Sequence, residues 1–379
     1  MTATTKLLFL LLLCAWLGAL GRCERVERAA SSERGLVLVK ENKLTSLLGV
    51  AFLRLEASGI AFLSQADPLS VVSDNRMDVV EAPTDFCPSS PNASLQGNPA
   101  YPSMCSDADC GFEGMTYDFV SGDRYFAIVE TVLTDGVYNG LLCQMDMQYT
   151  VQTCQLLTDY AFSTSNKGYE GVAVVRYNGE LFLFLLCEGN HCTSGAKGRE
   201  GGGGRIHVYQ QQQQQSGATN SSSVLFAKID TVKLPSSLNF EDYSGIDVYG
   251  NTLLVTSQSS SLFWVGTLAA KDENDFYVRD DGYVYYFPRT DTGSLLYCNV
   301  EGVAVMRPHD ALFTVAQPPE EEDPRLVIGD ALLGMSSDKS KSDQSSSCVE
   351  KDMMVHTFRL PFASSPSFSS SSSSFSSRE

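Results

Sequence analysis

Glu170-Gly171-Val172-Ala173-Val174 and Glu301-Gly302-Val303-Ala304-Val305 are the same five residues, and the reading of that phrase decides the fold. Apolar residues alternate after the glycine, as they do in a half-buried strand. The glycine itself serves either a positive φ or a close approach by neighbouring backbone. Looser copies stand at Glu113-Gly-Met-Thr-Tyr117, Ser58-Gly-Ile-Ala-Phe62 and Ser244-Gly-Ile-Asp-Val248. Each copy leads to a second apolar run that ends in a polar residue: Leu69–Asp74, Tyr125–Glu130, Leu181–Glu188, Leu253–Gln258 and, after a longer loop, Leu326–Asp330. In chain order the copies start 55, 57, 74 and 57 residues apart. The long interval contains Gly201–Gly204 and Gln210–Gln215 and reads as an exposed loop insertion at about 195–223. Removing its excess restores a period near 56.

A repeat of this length, built from short strands and without helical periodicity, predicts an all-β chain folded as a β-propeller of four-stranded antiparallel blades. The span from Gly35 to Phe362 is 328 residues, close to six units of 55, so six blades are expected, with five large blades as the alternative. The strand Met353–Leu360 is expected to pair with Leu36–Val39 and close the ring, which removes the edges an open sheet would expose. The domain division is then 1–21 signal peptide, 22–34 flexible charged leader, 35–362 propeller and 363–379 Ser-rich tail. The tail cannot bury a core and reads as disordered.

Composition agrees. With 43% hydrophobic and 10% aromatic residues, the 379-residue chain is not a disordered one. A formal charge of −18 argues against nucleic acid and against an anionic lipid surface as partner. Lys6, the apolar run Leu7–Leu20 and the small residues Ala19 and Gly21 describe a secretory signal cut after Gly21. No later segment is long and apolar enough to cross a bilayer. A secreted monomer that meets an extracellular ligand or protein is the expectation.

In an oxidising compartment cysteines read as disulfides. Cys143 and Cys154 are spaced to staple a hairpin. Cys187 and Cys192 enclose a tight loop. Of Cys87, Cys105 and Cys110, two are expected to pair, with Cys105 and Cys110 the candidates. Cys298 and Cys348 would join distant segments. Spacing alone does not fix this connectivity. Zinc is disfavoured, with no CxxC pair and only four His in the chain. Asn92 and Asn220 stand in glycosylation sequons.

Phe112-Glu-Gly-Met-Thr-Tyr-Asp118, Tyr169-Glu-Gly-Val-Ala-Val174, Leu183-Phe-Leu-Leu-Cys-Glu-Gly-Asn190, Asp242-Tyr-Ser-Gly-Ile-Asp247 and Ser337-Asp-Lys together resemble the SdiA-regulated and esterase-like-phytase group of calcium-associated β-propellers. The resemblance implies a six-bladed propeller, secreted or periplasmic-like, that holds Ca2+. Ser58 and Ser244 stand where the other repeats carry Glu, so the carboxylate ring is not symmetric.

Ca2+ is held by about six to eight hard oxygen ligands. Glu113, Glu170 and Glu301 begin inner strands and are expected to converge on one mouth of the axial channel. Glu130 and Glu188, which end second strands, are candidates for an outer layer of the same site. A competing structural role is that each Glu accepts hydrogen bonds from a neighbouring blade's backbone. These residues suit a binding or interaction module stabilised by Ca2+. The alternative is a Ca2+-dependent extracellular phosphoesterase or esterase-like hydrolase. No G-x-S-x-G nucleophile elbow is present. His191 is the best-placed candidate base and His356 reads as structural, so the balance leans away from catalysis.

Overall fold

The computed structural model describes residues 34–49, 56–62, 68–84, 93–96, 110–212, 225–272, 275–297, 299–306, 332–337, 348–350 and 353–359. The signal peptide, the leader to residue 33, the Ser-rich tail, Cys87, Cys105, Cys298, Asn92 and Asn220 lie outside them.

The regular elements of the described chain are nearly all strands, with short helical turns at Leu44–Leu48, Asn190–Cys192 and Gly195–Gly198. Five antiparallel sheets account for most of it, four of four strands and one of five. From the inside outward, blade I is Ala57–Phe62, Leu69–Ser73, Arg76–Ala82 and Ser94–Gln96. Blade II is Gly114–Tyr117, Tyr125–Thr134, Val137–Met145 and Val151–Phe162. Blade III is Tyr169–Tyr177, Glu180–Cys187, Arg205–Gln212 and Leu225–Lys233. Blade IV is Gly245–Tyr249, Thr252–Ser257 and Leu262–Ala270, whose outer edge pairs with both Phe276–Val278 and Tyr283–Tyr286. Blade V is Val300–Met306, Leu332–Ser337, Met354–Arg359 and, outermost, Val37–Lys43. Each inner strand packs on the next, and that of blade V packs back on that of blade I, so the ring is closed. The closing pair sets Leu38 opposite Phe358.

The structure is a β-propeller, and among the described residues five such sheets form its ring, where the length of the span favoured six. The five repeat copies are the five inner strands.

The repeat glycines meet the close-approach requirement, since Gly59, Gly114, Gly171 and Gly245 have no positive φ. A Cβ on Gly59 would stand 2.7 Å from the Cα of Gly114, and one on Gly114 would stand 2.7 Å from the Cα of Gly171. The inner strands touch backbone to backbone around the axis, and only glycine lets them.

Between adjacent blades lie five apolar clusters, one for each interface of the ring. Blade III shows how the sequence fills them. In its second strand Phe182, Phe184 and Leu186 face blade IV, while Leu181, Leu183, Leu185 and Cys187 face blade II. A period of two with both faces apolar reads as an unbroken hydrophobic run, and each such side chain taken from water contributes roughly 1.5–3 kcal/mol.

Cys143 and Cys154 are register partners on the third and fourth strands of blade II and are bonded. Cys187 and Cys192 are bonded across their loop. Cys110 is disulfide-bonded as well. Gly201–Gly204 departs from the reading as exposed loop, for Gly203 and Gly204 are buried. A Cβ there would meet the His191 ring at 2.6 Å and the Tyr243 ring at 2.5 Å. Gln210–Gln212 belong to the third strand of blade III. No helix among the described residues is long and apolar enough to cross a membrane.

Candidate functional site

In an antiparallel blade the start of the first strand lies beside the end of the second. The residues before the repeat glycines therefore come to the same mouth of the channel as the polar residues that end the second strands. Glu113, Glu130, Glu170, Glu188 and Glu301 line one cavity of about 240 Å³ there, together with Asp74, Asp242 and Gln258. Carboxylate oxygens of Glu130, Glu170 and Glu188 come within 4.8 Å of one another. Glu130 and Glu188 thus stand in the same layer as Glu170, not behind it.

The two serines that replace Glu do something different. The Ser58 hydroxyl donates to the Phe112 carbonyl at 2.6 Å, and that of Ser244 donates to the Val300 carbonyl at 3.2 Å. Both tie one blade to the next. Among the glutamates Glu130 shares this role, its Oε1 accepting the Gly168 N–H of blade III at 2.9 Å.

Burial raises the Glu113 carboxyl well above its ordinary range, and the charges of Glu130, Asp74, Glu301 and Glu188 add to it. Glu170 is raised well above its range by burial and then by Glu188, Glu113, Glu130 and Glu301. Glu130 is pushed up to about 8 by burial and by Glu188, with the Gly168 N–H and Lys167 pulling the other way. Lys167 pairs its ammonium with Glu188 Oε1. Burial works against that ammonium, but Glu188, Glu170 and Glu130 outweigh it and hold it charged. Gln258 donates its amide to Glu301 Oε1. Asp242 is fixed by the Ser257 hydroxyl at 2.8 Å and by the Ser259 N–H at 3.0 Å.

One wall is the segment from Gly189 to Arg199, held by Asn190. Asn190 is fully buried. Its amide donates to the carbonyls of Gly198 at 3.2 Å and Phe240 at 3.0 Å. Its Oδ1 accepts the Gly203 N–H at 2.9 Å and the Tyr243 hydroxyl at 3.1 Å.

No protein family and no curated protein matches this sequence. Solved structures are similar to it at low identity. A GH43 β-xylosidase/α-arabinofuranosidase from a compost microbial metagenome, in a calcium-free form with xylotriose, is 9% identical, with a TM-score of 0.44 over 86% of this chain and 94% of that one. Glutaminyl cyclase from Myxococcus xanthus is 12% identical, with a TM-score of 0.43 over 86% of this chain and 97% of the other. The PQQ-bound aldose sugar dehydrogenase of Streptomyces coelicolor is 9% identical, with a TM-score of 0.39 over 85% and 98%.

Asp74 and Gln258 were legible as site residues, because they directly follow the second strands of blades I and IV as Glu188 follows that of III, whereas Glu130 lies within the second strand of blade II, at the register shift between Val129 and Val132. Lys167, Asn190 and Asp242 carry no repeat signal. They come from connecting segments whose course only the fold reveals. His191 is not brought to the cavity. Its backbone has φ +58° and its ring nitrogen Nδ1 lies 3.4 Å from Arg205 Nη2. His356 is fully buried beside Glu41.

Proposed function

We propose that the chain is a secreted propeller whose channel mouth binds Ca2+ and whose surrounding loops form a binding module for an extracellular ligand. The observation that carries this reading is the meeting of Glu130, Glu170 and Glu188 oxygens within 4.8 Å inside the shared cavity. The donors are all hard oxygens, the set Ca2+ prefers over softer metals. Against Glu113, Glu130, Glu170, Glu188 and Glu301 the cavity lining sets two basic side chains, Lys167 and Arg199. Buried carboxylates so placed either keep protons or recruit a cation. The disulfides Cys143–Cys154 and Cys187–Cys192 fit an oxidising compartment.

Titration calorimetry on protein stripped with a chelator tests the reading. One Ca2+ site is expected, and Glu170→Gln is expected to weaken it at least roughly tenfold, the loss of a charged ligand being worth about 1.4 kcal/mol or more. No heat and no rise in Tm at millimolar Ca2+ would sink it. Lys167 is the competing internal cation, so Lys167→Met is expected to tighten Ca2+ roughly three- to tenfold, the scale of about 1 kcal/mol for a partly exposed pair. Unchanged affinity in that variant means that the ammonium does not compete.

The cavity also favours a second reading. About 240 Å³ has room for roughly eight waters at about 30 Å³ each, far more than one ion fills. A small ester or phosphoester could sit beside the ion, with Lys167 and Arg199 facing it, as in a Ca2+-dependent hydrolase. Release of product from a chromogenic ester or phosphoester, dependent on Ca2+ and lost in Glu170→Gln, would favour hydrolysis over binding alone.

A further inference from the structure

We infer that the chain holds a second, latent metal site of a different kind: once the Cys187–Cys192 disulfide is reduced, Cys187, Cys192 and His207 are arranged to bind one Zn2+ or a similar transition ion. The two sulfurs and a ring nitrogen of His207 all lie within 4.8 Å of one another. Three separate segments bring them together. Cys187 ends the second strand of blade III, Cys192 ends the turn Asn190–Cys192, and His207 sits on the third strand opposite Leu185. All three are buried. None of the three lines the oxygen cavity, although Cys187 is the chain neighbour of its Glu188.

The surroundings of His207 are those of a metal-bound imidazole. Its Nε2 lies 3.4 Å from Cys192 Sγ, and its Nδ1 lies 2.7 Å from the Tyr169 hydroxyl. With the hydrogen on Nδ1, the ring donates to Tyr169 Oη and turns the Nε2 lone pair to the sulfurs. The Tyr169 and Tyr209 hydroxyls are 3.1 Å apart, so the chain of donors continues. A ligand histidine held by a partner at its other nitrogen is the usual outer layer of a zinc site. Burial, with help from Lys228 and Arg205, pulls the His207 pKa down to about 3, which leaves the imidazole neutral. Thiolate and imidazole are soft and borderline donors, so this set selects zinc-like ions where the carboxylate cavity selects Ca2+.

The chemistry balances with a phosphine as reductant. The S–S bond breaks, water supplies the oxygen of the phosphine oxide, and two thiols form. Metal binding then releases two protons as the thiols become thiolates, and water completes a tetrahedral site. The loop that begins with Glu188 is then tied by the metal, where the disulfide tied it before.

Co2+ is the probe, because thiolate ligation gives it charge-transfer absorption in the near ultraviolet. The full chain is reduced with a phosphine, in the unfolded state if the buried bond is slow to open, and returned to native buffer with one equivalent of Co2+. One bound Co2+ with that absorption, and a higher Tm than the reduced metal-free chain, are the expected results. The oxidised chain should show neither. His207→Gln and Cys187→Ser should each weaken binding at least tenfold, while the paired change Cys143→Ser with Cys154→Ser should leave the band in place. The inference is overturned if the reduced chain lacks the band, whether folded or unfolded. It is also overturned if the band survives both His207→Gln and Cys187→Ser.

Discussion

Gly114→Val is expected to cost more than about 3 kcal/mol, enough to leave little of the folded protein, since domains are stable by only about 5–15 kcal/mol. The first added carbon would stand 2.7 Å from the Cα of Gly171 and 2.9 Å from the backbone nitrogen of Val172. Both obstacles are backbone, so no rotamer relieves them. The inner strands of blades II and III must separate, which opens the five-fold contact at the axis and the cluster containing Val172 and Ile128. Urea unfolding followed by circular dichroism measures the cost, with Leu133→Ala, at a position 55% exposed, as a control expected within about 0.5 kcal/mol of the parent. A Gly114→Val protein as stable as the control would show that the axis is looser than its backbone contacts imply.

The second large effect is a reversal of pH dependence by Ca2+. Glu113, Glu130 and Glu170 hold their protons more tightly folded than unfolded. Between the unfolded value of 4.5 and the folded value of about 8 for Glu130, the native state binds more protons than the unfolded chain. Stability must then fall as pH rises through that window, and the contribution is gone above it. Asp118 runs the other way. Burial works against its charge, but the bond from Arg176 wins and lowers its pKa, so its contribution is lost only in acid below that window. In chelator the Tm is expected to decline from about pH 5 to pH 8.5. With Ca2+ bound the carboxylates must be ionised, so the metal's rise in Tm should be largest at the alkaline end. A Tm in chelator that is flat across the window would contradict the shared buried cluster. A Ca2+ effect independent of pH would place the ion elsewhere.

The two halves of this site differ in how far they could be read from sequence. Glu113, Glu170 and Glu301 sit at one position of a repeat, and a repeat in a closed ring carries equivalent positions to equivalent places. Glu130 and Glu188 follow by strand pairing. Lys167 and Asn190 act through segments unique to one blade, where no second copy shows what is constant. The same limit explains the glycine run. By composition Gly201–Gly204 is a loop, but the packing of Gly203 and Gly204 against His191 and Tyr243 leaves no space for side chains. Blade number was legible in two ways, the copies pointing to five and the span to six, and the described residues form five sheets in the ring.

The pairing of Val37–Lys43 with Met354–Arg359 has a consequence for how the chain is made. Among the described residues, the first strand to be synthesised waits for the last one. Until then blade V lacks its outer strands, and the ring can hold blades I to IV only as an open arc. Such distant pairing is slow and leaves an edge exposed to other chains in the meantime. A stop codon ahead of Met354 is therefore expected to release an arc with an unsealed seam, prone to joining others of its kind, even though every residue at the channel mouth described above is already present.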